Sequence, residues 1–249
     1  MNKSFEKMFD ILELFSMDRT SLSISEIQKE LGYPKSTIFR TLNTMQAYNY
    51  IQQNPDNQRY SLGFNFFRLG SIYQSQMDFR LIALPIMKDT MEKTSETVEL
   101  NIIDGLNRIC VEKVDSPLDV RNFVRIGDRK PVYLGASGKV LMAFQKEAEQ
   151  KEIFDMLSRE DVNIVNMKKD IQIIKQNGYA LTKGERVPGS FAIATPIFDN
   201  KEDLVASLTI AGPIQRLSKE RESQLISVLL MATKEICEKL GYFKFEFKG

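Results

Sequence analysis

The 249-residue sequence contains no histidine and no tryptophan, and only two cysteines. Without histidine, a Ser-His-Asp triad, a Cys-His pair and every zinc site with a histidine ligand are excluded. Cys110 and Cys237 are far apart in sequence, so we expect reduced thiols and no structural zinc site. Mechanisms that use a carboxylate, a lysine or a Ser-Lys pair remain possible, but hydrolytic mechanisms that need a histidine are excluded.

Long apolar runs are also missing. No segment approaches the ~20 apolar residues that a membrane span requires, and we expect no signal peptide. Hydrophobic residues make up 43% and charged residues 27%, the balance of a globular protein, and the length allows two domains. We therefore expect a soluble cytoplasmic protein without a membrane partner.

Positive charge is concentrated near the N-terminus, although the whole chain has a net charge of only +1. Residues 31–68 contain the four cations Lys35, Arg40, Arg59 and Arg68, against the single acid Asp56. The rest of this stretch is rich in hydroxyl and amide side chains, which can bond to phosphates without repelling them. A solvated surface patch would have the same composition, so the charge alone does not assign a function.

The first 33 residues predict two helices followed by a tight turn. A helix is expected from residue 2 or 4 to about residue 17, where apolar residues recur every three or four positions. Ser23 and Glu26 have the spacing of a capping box, Gly32 suits the left-handed position that ends a helix, and Pro34 suits the first position of the next one.

A third helix is predicted over residues 34–48, with Ile38, Leu42 and Met45 on its apolar side. Its polar side consists of Lys35, Ser36, Thr37, Arg40, Thr41, Asn43 and Thr44. Two short strands, residues 50–53 and 59–62, flank a turn at residues 54–57. This order predicts a winged helix-turn-helix, although a small helical subdomain of another α+β protein would have a similar pattern.

The cationic residues of this region are the candidates for DNA contact. Lys35, Arg40 and Arg59 are predicted to bind phosphates or guanine, and which of these roles each residue has is left open. The alternative is that they are ordinary solvated charges. The full predicted set is Lys35, Ser36, Thr37, Arg40, Thr41 and Thr44 of the helix, with Asn57, Gln58 and Arg59 of the wing.

The remainder of the chain predicts an α+β domain. Residues 64–95 are predicted to form two helical pieces that link the domains and help to form a dimer, although the second piece could equally be a plain core helix. Pro85 either kinks this second piece or marks its first turn. The predicted domains are residues 1–70, a linker at 71–95 and a regulatory domain at 96–249. Strands are expected near residues 98–102, 109–114, 123–126, 191–198 and 204–211, and helices near 137–144, 147–157, 168–176 and 218–240.

Several segments resemble the IclR-type transcriptional regulators. They are residues 33–42 (YPKSTIFRTL), 59–63 (RYSLG), 127–143 (GDRKPVYLGASGKVLMA), 178–180 (GYA) through 192–197 (AIATPI), and 205–213 (VASLTIAGP). The resemblance implies a winged helix-turn-helix, a linker helix and a GAF/PAS-like effector-binding domain. It also implies assembly as a homodimer or homotetramer on operators with two-fold symmetry.

The resemblance also locates a pocket. The sequence Gly135-Ala-Ser-Gly-Lys139 lacks the spacing of a phosphate-binding P-loop, but a small-residue turn that enters a helix offers free N–H groups to a carboxylate. The resemblance assigns Gly135, Ala136 and Ser137 to effector binding, and the alternative is a turn that serves packing only.

Four further pocket positions depart from the family pattern. Thr182 replaces a frequent acid, Ala192 a frequent cysteine, and Thr209 and Ala211 two frequent serines. Each change removes charge or polarity, so we expect either a less polar effector, such as an aromatic or branched acid, or a pocket that no longer binds one. No carboxylate or lysine lies at a sequence spacing from Glu185 that would indicate a catalytic pair, so Glu185 is not assigned to catalysis. Cys110 is expected in a core strand.

The sequence thus predicts a DNA-binding transcription regulator, with repressor as the safer choice, controlled by a small organic acid. No enzyme activity, cofactor or metal is predicted. The alternatives are a metabolite-binding protein or enzyme with an N-terminal assembly domain, and a dimerisation module without a ligand. Neither alternative explains why cationic and amide side chains gather on one helix.

Overall fold

The computed structural model describes residues 3–160 and 162–244. The chain divides into two compact units, residues 1–77 and 78–249. The segment predicted as a linker, residues 71–95, is split by this division, and its second helix packs within the C-terminal unit. Among the described residues, no helix is both long enough and apolar enough to cross a bilayer.

The N-terminal unit combines helices with a small antiparallel sheet in the strand order β1-β3-β2. Its elements are α1 (Lys3–Glu13), β1 (Ser21–Leu22), α2 (Ile24–Leu31), α3 (Lys35–Ala47), β2 (Ile51–Gln53), β3 (Tyr60–Leu62) and α4 (Phe64–Ser75). Its core brings together Ile11, Ile27, Ile38, Leu42 and Tyr60, all of them buried. The predicted winged helix-turn-helix is therefore confirmed.

The capping signals predicted around α2 are confirmed. The Ser23 hydroxyl accepts from the backbone N–H of Glu26, and the Glu26 carboxylate accepts from the N–H of Ser23 at 2.7 Å. Gly32 ends the helix in the left-handed region at φ 69°. Pro34 lies one position earlier than predicted, because its ψ of 140° is extended while its carbonyl accepts the first helical bond from Ile38.

The C-terminal unit is built on a six-stranded sheet in the order β6-β5-β4-β9-β8-β7, with every adjacent pair antiparallel. Its elements are α5 (Asp78–Thr94), β4 (Thr97–Asp104), β5 (Asn107–Val114), β6 (Arg129–Pro131), α6 (Ala136–Ala143), α7 (Glu147–Leu157), α8 (Ile164–Asn177), β7 (Ala180–Lys183), β8 (Ser190–Phe198), β9 (Leu204–Pro213), a 3-10 turn (Ile214–Arg216) and α9 (Lys219–Lys239). This is the α+β architecture that the sequence predicts.

Helices cover both faces of this sheet. On one face α9 packs against β8, and the Thr195 hydroxyl is hydrogen-bonded to that of Thr233. The preceding residue of β8, Ala194, points to the other face and packs in a cluster with Ala136 and Val140 of α6. Because successive side chains of a strand point to opposite faces, every second residue of β8 lines the space between the sheet and α6.

Four details of this unit differ from the sequence prediction: a missing strand, two unpredicted strands and the start of one helix. Residues 123–126 form no strand, because the N–H of Arg125 bonds to the Asp128 carboxylate and the chain turns at Gly127 with φ 88°. The strand in this region is β6, just after that turn. α8 begins four residues earlier than predicted, capped by Asn163, and β7 was not predicted. Pro85 lies inside α5, which begins at Asp78, so it does not mark the first turn of that helix.

Candidate DNA interface and effector pocket

Helix α3 presents its polar side to solvent. Ile38, Leu42 and Met45 are buried against the rest of the N-terminal unit. On the other side Lys35, Ser36, Arg40 and Thr44 are exposed, while Thr37 and Thr41 are partly exposed. The structure therefore brings all six predicted helix residues to one accessible surface.

Lys35 and Arg40, the two cations on this surface, are not neutralised by an acidic side chain among the described residues. No ion pair among the described residues involves Lys35 or Arg40, and the first turn of α3 contains no acid. The hydroxyls of Thr41 and Thr44 donate to the carbonyls of Thr37 and Arg40, each at 3.0 Å. Their oxygens are left as acceptors, while Lys35 and Arg40 supply donors and charge.

Sequence reasoning missed Phe39, which is half exposed on the same helix. It lies one turn from both Lys35 and Asn43, away from the buried side of α3. Apolar side chains in this position contact the methyl group of thymine when a helix enters the major groove. The sequence could have revealed Phe39 as an exposed aromatic residue, because it lies outside the apolar pattern of Ile38, Leu42 and Met45.

The predicted wing residue Arg59 has partners inside the N-terminal unit. Its guanidinium donates to the hydroxyl and carbonyl of Ser21 at 3.0 and 2.9 Å, and it pairs with Glu26 at 2.9 Å. Hydrogen bonds from the Ser23 backbone and hydroxyl, and then from Arg59, lower the pKa of Glu26 to about 2. Arg59 thus connects β3 to the start of α2, a role that the sequence did not reveal.

The wing turn itself is ordered by local hydrogen bonds. The side-chain oxygen Oδ1 of Asn57 accepts from the backbone N–H of Arg59 at 3.0 Å, and the side-chain amide of Gln58 donates to the backbone carbonyl of Pro55 at 2.8 Å. Both Asn57 and Gln58 are exposed, and Gln58 has a φ of 56°. Their predicted contact with DNA stays a prediction.

All seven residues predicted for the effector pocket line one narrow cavity of the C-terminal unit, with a volume of about 20 Å³, which is room for about one water molecule. Thr182, Ala192 and Ala211 lie directly opposite one another across β7, β8 and β9. Thr209 is on the same face two residues earlier. The seven, which the sequence spreads over 77 positions, are Gly135, Ala136, Ser137, Thr182, Ala192, Thr209 and Ala211.

The start of α6 already holds a carboxylate of the protein. The N–H of Gly135 donates to Glu185 at 3.2 Å, and the other oxygen of Glu185 accepts from the amine of Lys139 at 2.7 Å. Lys139 also pairs with Asp170 at 2.8 Å. Burial opposes the charged amine, but hydrogen bonds to Asp170 and Glu185 outweigh it and raise the pKa of Lys139. The prediction that Glu185 lacks a partner is wrong, because Lys139 is distant only in sequence.

Charged residues that the sequence analysis missed form one wall of the cavity. Glu99 and Arg108 are 2% and 1% exposed, and their nearest charged atoms are 3.7 Å apart. Asn122 donates to Glu99 at 2.6 Å, and Arg108 donates to Asn101 at 2.5 Å. Burial lowers the pKa of Arg108, with Glu99 acting in the opposite direction. The expected loss of polarity therefore does not describe the whole pocket.

Two polar atoms of this cavity have no partner among the described residues. Arg108 Nε and the Thr209 hydroxyl oxygen are both fully buried and make no hydrogen bond. Buried polar atoms in folded proteins nearly always have a partner, because an unmade bond costs the full penalty of desolvation. Arg108 Nε and the Thr209 hydroxyl therefore each leave a hydrogen bond unmade beside the cavity.

Cys110 lies in β5 and is buried, as the sequence predicts. Burial, followed by the charge of Glu99, raises the pKa of its thiol to about 12. A thiol that stays protonated at neutral pH is a poor nucleophile. Cys110 therefore offers no covalent chemistry to the neighbouring cavity.

Comparison with known proteins agrees with this architecture. The family model for the C-terminal part of bacterial IclR transcriptional regulators matches residues 72–238, and the model for the IclR helix-turn-helix domain matches residues 4–55. The chain is 30% identical over 247 residues to the HTH-type transcriptional regulator KdgR of Escherichia coli, with 97% of this chain and 94% of that protein covered. It is 25% identical over 245 residues to the transcriptional repressor IclR of Escherichia coli, covering 94% and 88%.

Two solved structures are similar over nearly the whole chain. The IclR protein of Thermotoga maritima is 27% identical with a TM-score of 0.71, covering 96% of this chain and 98% of that one. An IclR homologue of Microbacterium hydrocarbonoxydans, complexed with 4-hydroxybenzoate, has a TM-score of 0.82 at 21% identity, covering 95% and 98%. At that identity the second likeness shows the fold alone.

Proposed function

The chain belongs to the IclR family of bacterial transcriptional regulators, and we propose that it is a cytoplasmic repressor whose operator affinity is set by a small organic acid. The observation that carries the proposal is the solvent-facing side of α3, where Lys35 and Arg40 have no ion-pair partner among the described residues. A surface that gathers donors, acceptors and unopposed positive charge on one helix fits the major groove of DNA.

Within this proposal, α3 is the recognition helix. Arg40 and Phe39 occupy its middle and reach base edges, while Lys35 at its start contacts phosphate. Asn57 and Gln58 of the wing lie against the DNA backbone. Arg59 is engaged with Ser21 and Glu26, so we assign it first to holding the wing on α2 and only then to DNA.

The proposal includes assembly as a homodimer, with the tetramer as a higher state. No residue of α4 is buried, and Phe64, Phe67, Ile72 and Tyr73 are between 48% and 70% exposed. A 12-residue helix with so much apolar surface needs a partner in water. A second copy of the chain would cover it and would present two recognition helices to a two-fold symmetric operator.

The cavity between α6 and the sheet is the proposed effector site, and free N–H groups at the start of α6 suit an organic acid. A homologue of this fold is known in complex with 4-hydroxybenzoate. Effector binding changes operator affinity by linkage: the ligand stabilises one arrangement of the dimer, and that arrangement fixes the spacing between recognition helices.

The proposal is tested by selecting genomic DNA fragments with the purified protein and by deleting its gene. We expect enrichment of a few fragments that share a two-fold symmetric sequence, and higher expression of the adjacent genes in the deletion strain. Selection with an Arg40→Ala variant is the matched control. Failure to enrich any fragment, with and without candidate acids, would contradict DNA binding, and lower expression in the deletion strain would contradict repression.

A further inference from the structure

We infer that residues 245–249, which lie outside the described residues, dock on their own C-terminal unit in a groove between α7 and the turn that joins β4 to β5. Phe245 and Phe247 cover the apolar floor of this groove, and Lys248 lies at its acidic rim. The inference goes beyond the proposed function and does not depend on it, because it involves neither DNA nor an effector.

The groove is an open site with an apolar floor. Its volume is about 360 Å³, whereas the cavity at the start of α6 has about 20 Å³. Ile103 of β4 and Ile153 and Met156 of α7 form the floor, and all three belong to the apolar cluster around α6. A groove of this size has room for apolar side chains, which would extend that cluster outward.

Two acids of α7 form the rim of the groove. Glu149 and Glu152 line it and are exposed to solvent. Neither is in an ion pair with another described residue, and Lys146, which precedes α7, pairs with Asp203 instead. Two negative charges beside an apolar floor favour an occupant that combines apolar side chains with a positive charge.

The sequence after α9 has the pattern of a strand with one aromatic side. Residues 243–248 have the sequence FKFEFK, so Phe243, Phe245 and Phe247 share one side of an extended chain and charged residues occupy the other. Phe243 is 77% exposed, so the described residues do not cover this aromatic side where it begins. An alternating aromatic segment left in water offers a template for pairing with other chains, and native proteins cover such segments.

Aromatic contacts hold the chain after α9 at the end of the sheet where the groove lies. Helix α9 is on the opposite face from α6, so the chain has to cross this end to reach the groove. The ring of Tyr242 lies 5.1 Å from that of Phe198, which lies 5.8 Å from the ring of Phe144 just after α6. The next residue, Gln145, already lines the groove.

Ion pairs continue this path from the last described residue. Lys244 pairs with Glu202 at 2.5 Å, and the adjacent Asp203 pairs with Lys146 at the start of α7. Five further residues in extended form span up to about 17 Å. The part of α7 that lines the groove, residues 149–156, is only about 11 Å long, so the segment can cover it.

The charged side of the segment matches the rim. Lys244 and Lys248 flank Glu246, so this side carries one more positive than negative charge. Because Lys244 is already in an ion pair, Lys248 is the cation available to Glu149 and Glu152. Docking within one chain is favoured over docking on a second copy, since the short tether gives the segment a high effective concentration at the groove.

The test uses the absence of tryptophan from the sequence. Phe247→Trp gives the full-length protein a single tryptophan, and Phe245→Trp is a second probe on the same side of the segment. We expect emission at a shorter wavelength than that of the same protein unfolded in urea, because the ring is shielded from water. Quenching by acrylamide should be several-fold weaker than in the unfolded protein, at every protein concentration.

Two variants of the groove locate the docking. Glu149→Lys with Glu152→Lys reverses the rim, and Met156→Lys places a charge on the floor. Each should move the emission of the tryptophan probe toward that of the unfolded protein and restore quenching. The matched control is Glu147→Lys with Asp155→Lys, which reverses two exposed acids of α7 that do not line the groove and should change neither readout. Circular dichroism establishes that each variant is folded.

Emission typical of full solvent exposure from both probes in the folded protein would overturn the inference. Protection that grows with protein concentration would overturn it in favour of a second copy, and protection that persists in both folded groove variants would overturn the placement. A chain that stops after Lys244 gives a readout without tryptophan. Its hydrogen exchange in α7 and in the turn between β4 and β5 should be several-fold faster, and unchanged exchange there would contradict docking.

Discussion

Removal of Arg108 tests how the buried polar wall is held together. Arg108 and Glu99 are 1% and 2% exposed, so Arg108→Met leaves a carboxylate buried with Asn122 as its remaining partner. Breaking a buried ion pair from one side costs about 3–5 kcal/mol. For a unit of this size that cost corresponds to a fall of roughly 6–20 °C in the melting temperature of the C-terminal unit.

The companion variants make this prediction specific. The double variant Arg108→Met with Glu99→Leu removes both charges, and replacing a buried pair by apolar residues is often neutral. We expect it to recover most of the lost stability. Lys130→Met is the matched control, because Lys130 lies opposite Arg108 in the register of β5 and β6 but is exposed, and it should change stability by less than about 0.5 kcal/mol.

Urea denaturation and calorimetry of the four proteins provide the measurement. A single variant that is as stable as wild type would refute the reasoning, since it would mean that Glu99 is hydrated or protonated without Arg108. A double variant less stable than the single one would refute it as well, because the cost would then come from packing and not from the unpaired charge.

Substitution of Glu185, acidification around Glu26 and alkylation of the two cysteines provide three further tests. Glu185→Gln should bind acids more tightly, because it removes the negative charge that repels a ligand carboxylate beside the N–H of Gly135; unchanged or weaker affinity in calorimetry would contradict this. The pKa of Glu26 is lowered from 4.5 to about 2 in the folded state, so its contribution to the stability of the N-terminal unit is complete above pH 4.5 and is lost as the pH falls through 2. An NMR titration midpoint near 4.5 would rule that out. Cys110 and Cys237, both buried with pKa values raised to about 12, should resist alkylation at pH 7.5 until the protein is unfolded, and rapid labelling of the native protein would contradict their burial.

Most of the fold was predictable because its signals are local. The capping box of Ser23 and Glu26, the left-handed Gly32 and the alternation along β4 each depend on residues close in sequence. The strand predicted at residues 123–126 is absent, because the conformation of this segment depends on the residues that follow it. Its apolar residues favour a strand, but Asp128 and Gly127 direct the backbone into a turn that the residue pattern does not reveal.

The candidate sites were predictable only in part. The exposed side of α3 follows from helical periodicity, and the seven pocket positions follow from family resemblance. The partners of charged residues do not, since Arg59 and Glu26 are 33 residues apart and Lys139 and Glu185 are 46 apart. Arg108 was not singled out from the sequence, because nothing in the sequence of an arginine indicates that it is buried beside Glu99.

The most direct test of the account is the salt dependence of operator binding, measured by fluorescence anisotropy for wild type, Lys35→Ala, Arg40→Ala and the exposed control Lys201→Ala. We expect the affinity of wild type and Lys201→Ala to weaken steeply with salt, because phosphate contacts release counterions. Lys35→Ala should reduce the slope of log K against log salt by about 1 for each protomer bound, and Arg40→Ala should lose discrimination between operator and unrelated DNA. Identical affinities, slopes and discrimination in all four proteins would contradict α3 as the recognition helix.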